Sequence, residues 1–339
     1  MTKAYFIVNC RSGTGEVLFD GQIMNTEDVI CQKTLQPKME EFSDGQFNLN
    51  FLHFPKDGTT LSELVEEALD DGANLIIGCG GDGTFSVIAN VLAKRKVLDK
   101  VDLGIISIGT ANNLAQNLKI QSNDVWHNVK TILSPSAKIE YSDLGIIKDA
   151  ENHEYAFVNV ATFGPAAQVM EKGANLRVQV ENSRLIKRIG WKLFYWVAGL
   201  WLLFTKFLFT KTAKKQCPEM KIKISERREV IEKPLIISIG NGASCGGGFN
   251  LNPSAQMNDG MLDFCFVKPL NAFQLLFRYL PKARRGTHLN LSGVQHGRSK
   301  EIIIGSVDPI TANIDGDPLD SSNRFTVSIL PRALRVRTL

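Results

Sequence analysis

Residues 76–84 combine an apolar run with four glycines and a single acid, Asp82. Glycines at the end of a buried strand let the backbone approach a ligand closely. The start of the following helix presents free N–H groups and a positive dipole end to an anion. The acid favours a metal–phosphate ligand, because a bare phosphate would be repelled by it. Gly81, Asp82, Gly83 and Thr84 therefore predict a site for the phosphates of a nucleotide, although Asp is also common as a helix cap.

Two further polar loops follow short apolar runs and supply candidate partners for the same ligand. Asn9 follows residues 5–8, whereas Thr110 and Asn112 follow residues 103–107. The sequence has no Gly-x-x-x-x-Gly-Lys-Ser/Thr pattern, which argues against a P-loop NTPase. We therefore expect backbone donors and short hydroxyls to hold the phosphates, with Asn9 and Asn112 as side-chain partners of the nucleotide.

The first part of the chain alternates strand-like and helix-like segments. Apolar residues recur at helical spacing from Leu61 to Leu69, and Gly72 stands where such a helix would end. A second helix is predicted after the glycine loop, from Phe85 to Leu92. Buried strands are predicted at residues 5–8, 74–79 and 103–107. Ligand loops at the carboxyl ends of such strands are typical of an open parallel α/β domain.

From about Ile139 the pattern becomes that of a β-rich domain. Strands are predicted at residues 155–162, 230–239, 261–267, 301–304 and 325–330. A chain of 339 residues is long enough for two cores, because a single core seldom grows past roughly 250–300 residues.

The bulk composition excludes few classes of protein. Apolar residues make up 44% and charged residues 22% of the chain, as in ordinary soluble proteins. A net charge of +4 is too small to argue for a nucleic-acid partner. The six cysteines match neither a zinc site nor a disulfide framework, so we expect reduced thiols in a cytoplasmic protein.

Five sequence blocks stand in order along the chain, at residues 9–15, 80–84, 109–115, 246–263 and 314–318. Together they resemble the signatures of the diacylglycerol kinase catalytic-domain family, which is related to sphingosine kinases and NAD kinases. Each block alone is weakly specific, whereas the ordered set spans almost the whole chain. The set favours a lipid kinase over an NAD kinase.

The resemblance implies an α/β plus β architecture with the active site in the cleft between two domains. An NAD kinase-like α/β domain would cover residues 1–138, with residues 331–339 returning to it, and a β-sandwich domain would cover residues 139–330. The family relationship also implies ATP and Mg²⁺ as cofactors and a lipid alcohol such as diacylglycerol as acceptor. Ser12 and Gly13 of the first block would join the nucleotide contacts.

The acceptor alcohol must lose a proton as it attacks phosphorus, so a carboxylate base is useful. By resemblance this role belongs to Asp317. Asp82 of the glycine loop is the second predicted catalytic residue, and it would orient the phosphate donors or hold magnesium, directly or through water. The family usually has glutamate at the position of Asp317, and aspartate is one methylene shorter. Displacing a catalytic group by about 1 Å can cost ~10²-fold in rate.

A structural magnesium site is also implied by resemblance. Asp259 would supply its carboxylate, and Gln256 and Met261 their main-chain carbonyls. These are suitable ligands for a hard cation. Because Asp-Gly is also a common turn dipeptide, a plain turn at Asp259 is the competing interpretation.

Three departures from the family pattern keep other functions open. Pro55 replaces a threonine, Val87 a glutamate and Asn113 a common aspartate. The alternatives are an NAD kinase-like enzyme acting on a soluble nucleotide and a catalytically impaired lipid or nucleotide sensor.

Two segments indicate contact with a membrane surface. Residues 189–209 mix aromatic, aliphatic and basic side chains, as interfacial helices do, although a plain core helix has a similar composition. Residues 278–285 contain four basic residues, which fits either anionic lipid head groups or a solvated face. We expect a cytoplasmic protein that associates peripherally with a membrane.

Overall fold

The structure is a computed structural model. It describes residues 2–10, 12, 16–25, 29, 35–43, 46–54, 58–109, 112–118, 120, 124–165, 167–168, 217–225, 229–244, 249–271 and 273–338. The chain divides into two compact units. The first comprises residues 1–144, 257–259 and 330–339, and the second comprises residues 145–256 and 260–329. The boundary expected after residue 138 and the division after residue 144 fall within one strand, Lys138–Lys148.

The first unit contains six strands and five helices among the described residues. The strands are β1 Thr2–Asn9, β2 Glu16–Phe19, β3 Gln22–Asn25, β4 Phe47–Phe54, β5 Leu75–Gly80 and β6 Asp102–Ser107. The helices are α1 Leu35–Ser43, α2 Leu61–Asp70, α3 Asp82–Lys94, α4 Asn113–Asn117 and α5 Val125–Ile132.

The remaining elements begin at residue 138. The strands are β7 Lys138–Lys148, β8 Glu154–Phe157, β9 Val160–Phe163, β10 Met220–Ile224, β11 Val230–Glu232, β12 Ile236–Gly240, β13 Leu262–Val267, β14 Val294–Ser299, β15 Glu301–Ile314 and β16 Asp317–Thr338. A π-helix, Gln274–Tyr279, continues into α6 Leu280–Arg284.

The sheet of the first unit is parallel, with strand order β4-β1-β5-β6. The last residues of β16 extend it beside β6, where Arg335 pairs with Asp102. Every residue of β5 is buried, as expected for a central strand covered on both faces. The predicted open parallel α/β domain is therefore confirmed, and its three predicted strands lie within β1, β5 and β6 apart from Asn74, which precedes β5.

Helix α2 shows how the sequence sets an element boundary. Thr60 caps the helix: its Oγ1 accepts the Glu63 N–H at 3.2 Å, and Glu63 Oε2 accepts the Thr60 N–H at 2.7 Å. This reciprocal pair is a capping box. Beyond the last turn, Gly72 has φ +82°, a conformation that glycine adopts without steric cost. The predicted end of the helix at this glycine is confirmed to within a residue or two.

The second unit is built on antiparallel strands in the order β14-β13-β12-β9-β15-β16. Its core contains Phe163 and Phe325, whose ring centroids are 5.4 Å apart. The predicted strands at 155–162 and 230–239 are each interrupted, by residues 158–159 and 233–235. The predicted strands at 301–304 and 325–330 are parts of a long β15–β16 hairpin.

The cysteines only partly follow the expectation of reduced thiols. Cys79, Cys217 and Cys265 are free and buried, whereas Cys10 is disulfide-bonded. Sequence spacing does not reveal a pairing that depends on how the chain folds. The aromatic segment at residues 189–209 lies outside the described residues. Among the helices within the described ranges, none is both long and apolar enough to span a bilayer.

Candidate active site

The glycine loop of residues 80–84 joins β5 to α3. β5 ends at Gly80, Gly81 is the N-cap residue, and the helix begins at Asp82 rather than at Phe85. The Thr84 N–H donates to the Gly81 carbonyl at 2.9 Å. A Cβ on Gly80 would lie 2.2 Å from Thr84 Oγ1, so this position accepts only glycine without a shift. The N-terminus of α3, where the positive end of the helix dipole lies, is therefore at the loop.

The two glycine motifs that follow β5 and β6 touch through their backbones. A Cβ on Gly109 would lie 2.5 Å from the Gly81 Cα. The Ile108 N–H also donates to the Gly80 carbonyl at 3.0 Å. The lack of both side chains lets the loops meet, as expected where parallel strands end at one edge of a sheet.

Asp82 connects these loops. Its Oδ1 accepts the backbone N–H of Leu114 at 2.9 Å, in the first turn of α4. This bond fits the helix-cap interpretation of the acid, but the helix whose first turn Asp82 holds is α4. A carboxylate so held keeps the two nucleotide motifs in a fixed relationship.

Asn9 is the last residue of β1, and Ser12 lies in the loop that follows. Asn9 Nδ2 donates to Thr84 Oγ1 at 3.0 Å, which ties this loop to the start of α3. The Ser12 N–H donates to the Asn9 carbonyl at 3.0 Å and forms a turn. Gly13 and Thr110, the other predicted nucleotide contacts, lie outside the described residues.

Asn112 has an unusual backbone and an unsatisfied side chain. Its φ is +50°, a left-handed conformation that Asn tolerates better than most residues. Its Oδ1 is buried and has no hydrogen-bond partner within the described part of the chain. Leaving such an acceptor unpaired costs about 1–3 kcal/mol. This oxygen would be satisfied by a ligand that donates an N–H or O–H.

The loop leaves room for an anion beside the helix. Gly83 is exposed, and no atom of the described residues lies within 4 Å of the Cβ that another residue would carry there. The N-terminus of α3, the close glycines and the unpaired Asn112 oxygen form a set of groups that suits a nucleotide and its phosphates. Sequence reasoning selected each of these residues, and the structure brings Gly81, Asp82, Thr84 and Asn9 together.

In the second unit, Asp315 anchors the hairpin turn that joins β15 to β16. Its carboxylate accepts three backbone N–H groups, from Val158 at 2.6 Å and from Asn159 and Val160 at 2.9 Å. Asp315 has φ +50° and Gly316 φ +108°, as a tight two-residue hairpin turn requires. Sequence reasoning did not select Asp315, although an acid in the first position of an Asp-Gly turn was its visible signal.

Asp317, the predicted base, is the first residue of β16 and pairs with Ile314 across the hairpin. The residue as a whole is exposed to solvent, and its carboxyl group is partly desolvated by the protein. This desolvation raises the pKa of Asp317 above its ordinary value. A carboxylate with a raised pKa binds a proton more strongly, which suits a general base.

The predicted metal residues lie around a turn. Gly260 has φ +69°, which explains the Asp-Gly dipeptide at Asp259. In the first unit, the Met257 carbonyl accepts the Asp143 N–H at 2.6 Å. The described residues contain no cluster of three or more acidic, histidine or cysteine side chains that could hold a metal. The ligand set of Asp259, Gln256 and Met261, which relies on two carbonyls, stays a prediction.

A buried carboxyl group of the second unit, Asp263, completes the block that begins at Asp259. It is 7% exposed, and its Oδ2 lies 3.4 Å from the Arg298 Nε. Burial raises the pKa of Asp263 to about 6. The nearby guanidinium opposes this rise, so Asp263 changes its charge in the mildly acidic range.

A parallel α/β unit with two touching glycine loops, followed by an antiparallel β unit, has the α/β plus β architecture that the sequence predicted. Comparisons with known proteins agree. Residues 3–142 match the model of the diacylglycerol kinase catalytic domain. Residues 204–338 match the YegS C-terminal NAD kinase beta sandwich-like domain.

Relatives and solved structures give the same result. The lipid kinase YegS of Escherichia coli K12 is 29% identical over 278 residues, covering 81% of this chain and 82% of its own. A protein named probable lipid kinase YegS-like, from Pectobacterium atrosepticum, is 29% identical over 301 residues, covering 83% and 87%. The fold matches a crystal structure of a diacylglycerol kinase from Bacillus anthracis with a TM-score of 0.63 at 16% identity, covering 100% of this chain and 97% of that one.

The chain therefore belongs to the diacylglycerol kinase catalytic-domain family. Its second unit is the YegS-type β-sandwich domain. The predicted fold class and family are both confirmed, and the relatives to which the chain is similar are named lipid kinases.

Proposed function

We propose that this protein transfers the γ-phosphate of ATP to the hydroxyl group of a lipid alcohol such as diacylglycerol. The observation that carries the proposal is the close approach of Gly81 and Gly109. The hydrogen bond from the Leu114 N–H to the Asp82 carboxylate joins the same two loops. Backbone donors on two loops, without a bulky side chain between them, suit a triphosphate better than a single small anion.

The nucleotide would bind with its phosphates at the N-terminus of α3. The positive end of the helix dipole and the backbone N–H groups of the first turn stabilise negative charge there. Thr84 and Asn9 shape this edge through their hydrogen bond of 3.0 Å. The unpaired Oδ1 of Asn112 would accept a hydrogen bond from an N–H or O–H group of the nucleotide. Ser12, Gly13 and Thr110 belong to the same proposed site.

Asp317 would accept the proton of the attacking hydroxyl. Its raised pKa improves its strength as a base. The Asp315 carboxylate, fixed by three N–H donors, would position the turn that carries Asp317. Asp317 has a shorter side chain than the glutamate usual in the family, so its placement near the acceptor hydroxyl would depend on this rigid turn.

Mg²⁺ would be held by Asp82 near the phosphates, and a structural Mg²⁺ by Asp259 with the carbonyls of Gln256 and Met261. When bound, Mg²⁺ neutralises charge that develops on the transferring phosphoryl group. The residues of this chain supply the positioning of the donor and the removal of the acceptor proton.

The proposal is tested by incubating the purified protein with γ-³²P-labelled ATP, Mg²⁺ and dispersed lipid alcohols. The panel contains diacylglycerol, monoacylglycerol, a sphingoid base and a polyprenol, with NAD as a soluble acceptor. Labelled phospholipid is the expected product. Label on NAD alone would indicate the NAD kinase-like alternative. Nucleotide binding without transfer to any acceptor would indicate a sensor and contradict the proposal.

A further inference from the structure

The helical segment of residues 273–285 has one face buried in the second unit. Leu275, Tyr279 and Ala283, each four residues apart, are 3%, 1% and 0% exposed. They belong to an apolar cluster with Leu251 and Val267. The segment is therefore fixed to the unit, and several of the residues between these positions, including Phe277 and Arg278, are exposed.

The outward face carries a pair of aromatic rings. Phe273 and Phe277 are 71% and 69% exposed, and their ring centroids are 5.0 Å apart. They are the two most exposed aromatic side chains within the described ranges. Single exposed apolar residues are ordinary, whereas two neighbouring phenylalanines on one helix, with ring planes tilted by 41°, form a small patch that water solvates poorly.

Positive charge surrounds this pair. Arg278, Lys282 and Arg285 are exposed. Between Asp263 and Glu301 the sequence contains seven basic residues and no acid. Such a segment is complementary to a surface of negative charge and unsuited to a mixed-charge protein surface.

We propose that the docking face, defined by Phe273, Phe277, Arg278, Lys282 and Arg285, binds the surface of an anionic lipid bilayer. The rings would enter the boundary between head groups and acyl chains, and the basic side chains would contact lipid phosphates. This inference rests on the proposed function, because an enzyme that phosphorylates a lipid alcohol has to reach it in a membrane.

Vesicle co-sedimentation without nucleotide tests the docking face separately from catalysis. The full chain is mixed with vesicles of phosphatidylcholine and phosphatidylglycerol, or of phosphatidylcholine alone. We expect binding to the anionic vesicles that weakens with salt. Lys282→Ala with Arg285→Ala should lower the partition coefficient about thirtyfold, from roughly 1 kcal/mol for each charge. The matched control, Lys221→Ala with Lys223→Ala, removes two exposed lysines of β10 and should leave binding unchanged.

The aromatic pair has its own matched control. Phe273→Ser with Phe277→Ser should lower the partition coefficient at least about tenfold, because two rings lose their burial. Val307→Ser removes a residue that is 89% exposed and should have no effect. Circular dichroism confirms that each variant is folded.

Three results would overturn the docking face. One is equal binding of wild type and both docking-face variants. Another is equal binding to both kinds of vesicle. The third is a wild-type dimer in analytical ultracentrifugation that Phe273→Ser with Phe277→Ser dissociates, which would assign the face to a second copy of the chain. Turnover of detergent-dispersed diacylglycerol is measured in parallel. Wild-type protein that turns over this substrate but binds neither kind of vesicle would contradict the docking face alone, whereas wild-type protein that binds anionic vesicles without turnover would contradict the proposed function alone.

Discussion

Asp82 Oδ1 accepts the N–H of Leu114 at 2.9 Å, so the acid of one nucleotide motif holds the first turn of the helix that follows the other. Together with the backbone contact of Gly81 and Gly109, this bond makes a single structure of two loops that are separate in sequence.

Gly109→Ala should weaken ATP binding and destabilise the first unit. The new Cβ would lie 2.5 Å from the Gly81 Cα, and overpacking of this kind costs about 1–3 kcal/mol. Calorimetric titration with ATP and thermal unfolding measure the two effects. The control is Gly305→Ala, where the nearest atom to the new Cβ lies 3.8 Å away. Unchanged ATP affinity in Gly109→Ala would contradict the proposed role of the loop contact.

Asp315→Ala should destabilise the β15–β16 turn by about 3 kcal/mol, since three backbone N–H groups would lose a charged acceptor. Turnover should fall with little change in the KM for ATP, because the turn positions Asp317 and not the nucleotide. Urea unfolding and steady-state kinetics provide the readouts. Asp308→Ala, at an exposed position of the same hairpin, is the matched control. If turnover fell no further in Asp315→Ala than in the control, the proposed role of Asp315 in positioning Asp317 would be contradicted.

Asp317→Asn should reduce kcat by about 10² or more, as expected when a general base is removed, while ATP binding persists. In the wild type the rate should fall as the pH drops through the pKa of Asp317, because a base must be unprotonated to act. Desolvation raises this pKa, so the acidic limb should lie above the range of an ordinary aspartate. A pH–rate profile measures the limb. A profile that Asp317→Asn leaves unchanged in shape and height would exclude Asp317 as the base.

Asp263 should make stability depend on pH in an unusual direction. Its folded-state pKa of about 6 lies above the ordinary 3.8, so the folded protein binds the proton more tightly. The contribution to stability is full below pH 3.8 and is lost as the pH rises through about 6. At neutral pH the loss amounts to about 2–3 kcal/mol, reduced by Arg298.

Denaturant unfolding from pH 4 to pH 7 tests this prediction. The asparagine in Asp263→Asn does not ionise, so the free energy of unfolding of this variant should rise relative to that of the wild type as the pH rises. Asp308→Asn, which changes an exposed residue of the same unit, should show no such divergence. Parallel curves for wild type and Asp263→Asn would show that burial does not raise this pKa.

The sequence predicted most of the first unit because local signals and fold agree there. The Gly72 stop and the buried run of β5 each fix an element by themselves. The start of α3 was placed late, at Phe85, because the glycine and aspartate of its first turn suggest a loop. The interruption of a predicted strand at Val158 and Asn159 could not be predicted from the sequence. It depends on the carboxylate of Asp315, which is 157 residues away from Val158.

The candidate site shows the same division. Motif residues such as Asn9 and Asn112 could be chosen from their types and their positions after strands. Their contacts could not be predicted, because the hydrogen bond from Asn9 to Thr84 joins residues that are 75 positions apart in the sequence. Nor could the exposure of Phe273 and Phe277 be read from a segment whose apolar residues occur on both faces of the helix.

The most direct test of the central claim is a crystal structure of the protein with a non-hydrolysable ATP analogue. In that complex we expect phosphate oxygens within hydrogen-bond distance of the backbone N–H groups of Gly81, Asp82, Gly83 or Thr84. A nucleotide bound elsewhere, or a loop that stays empty at saturating analogue, would contradict it.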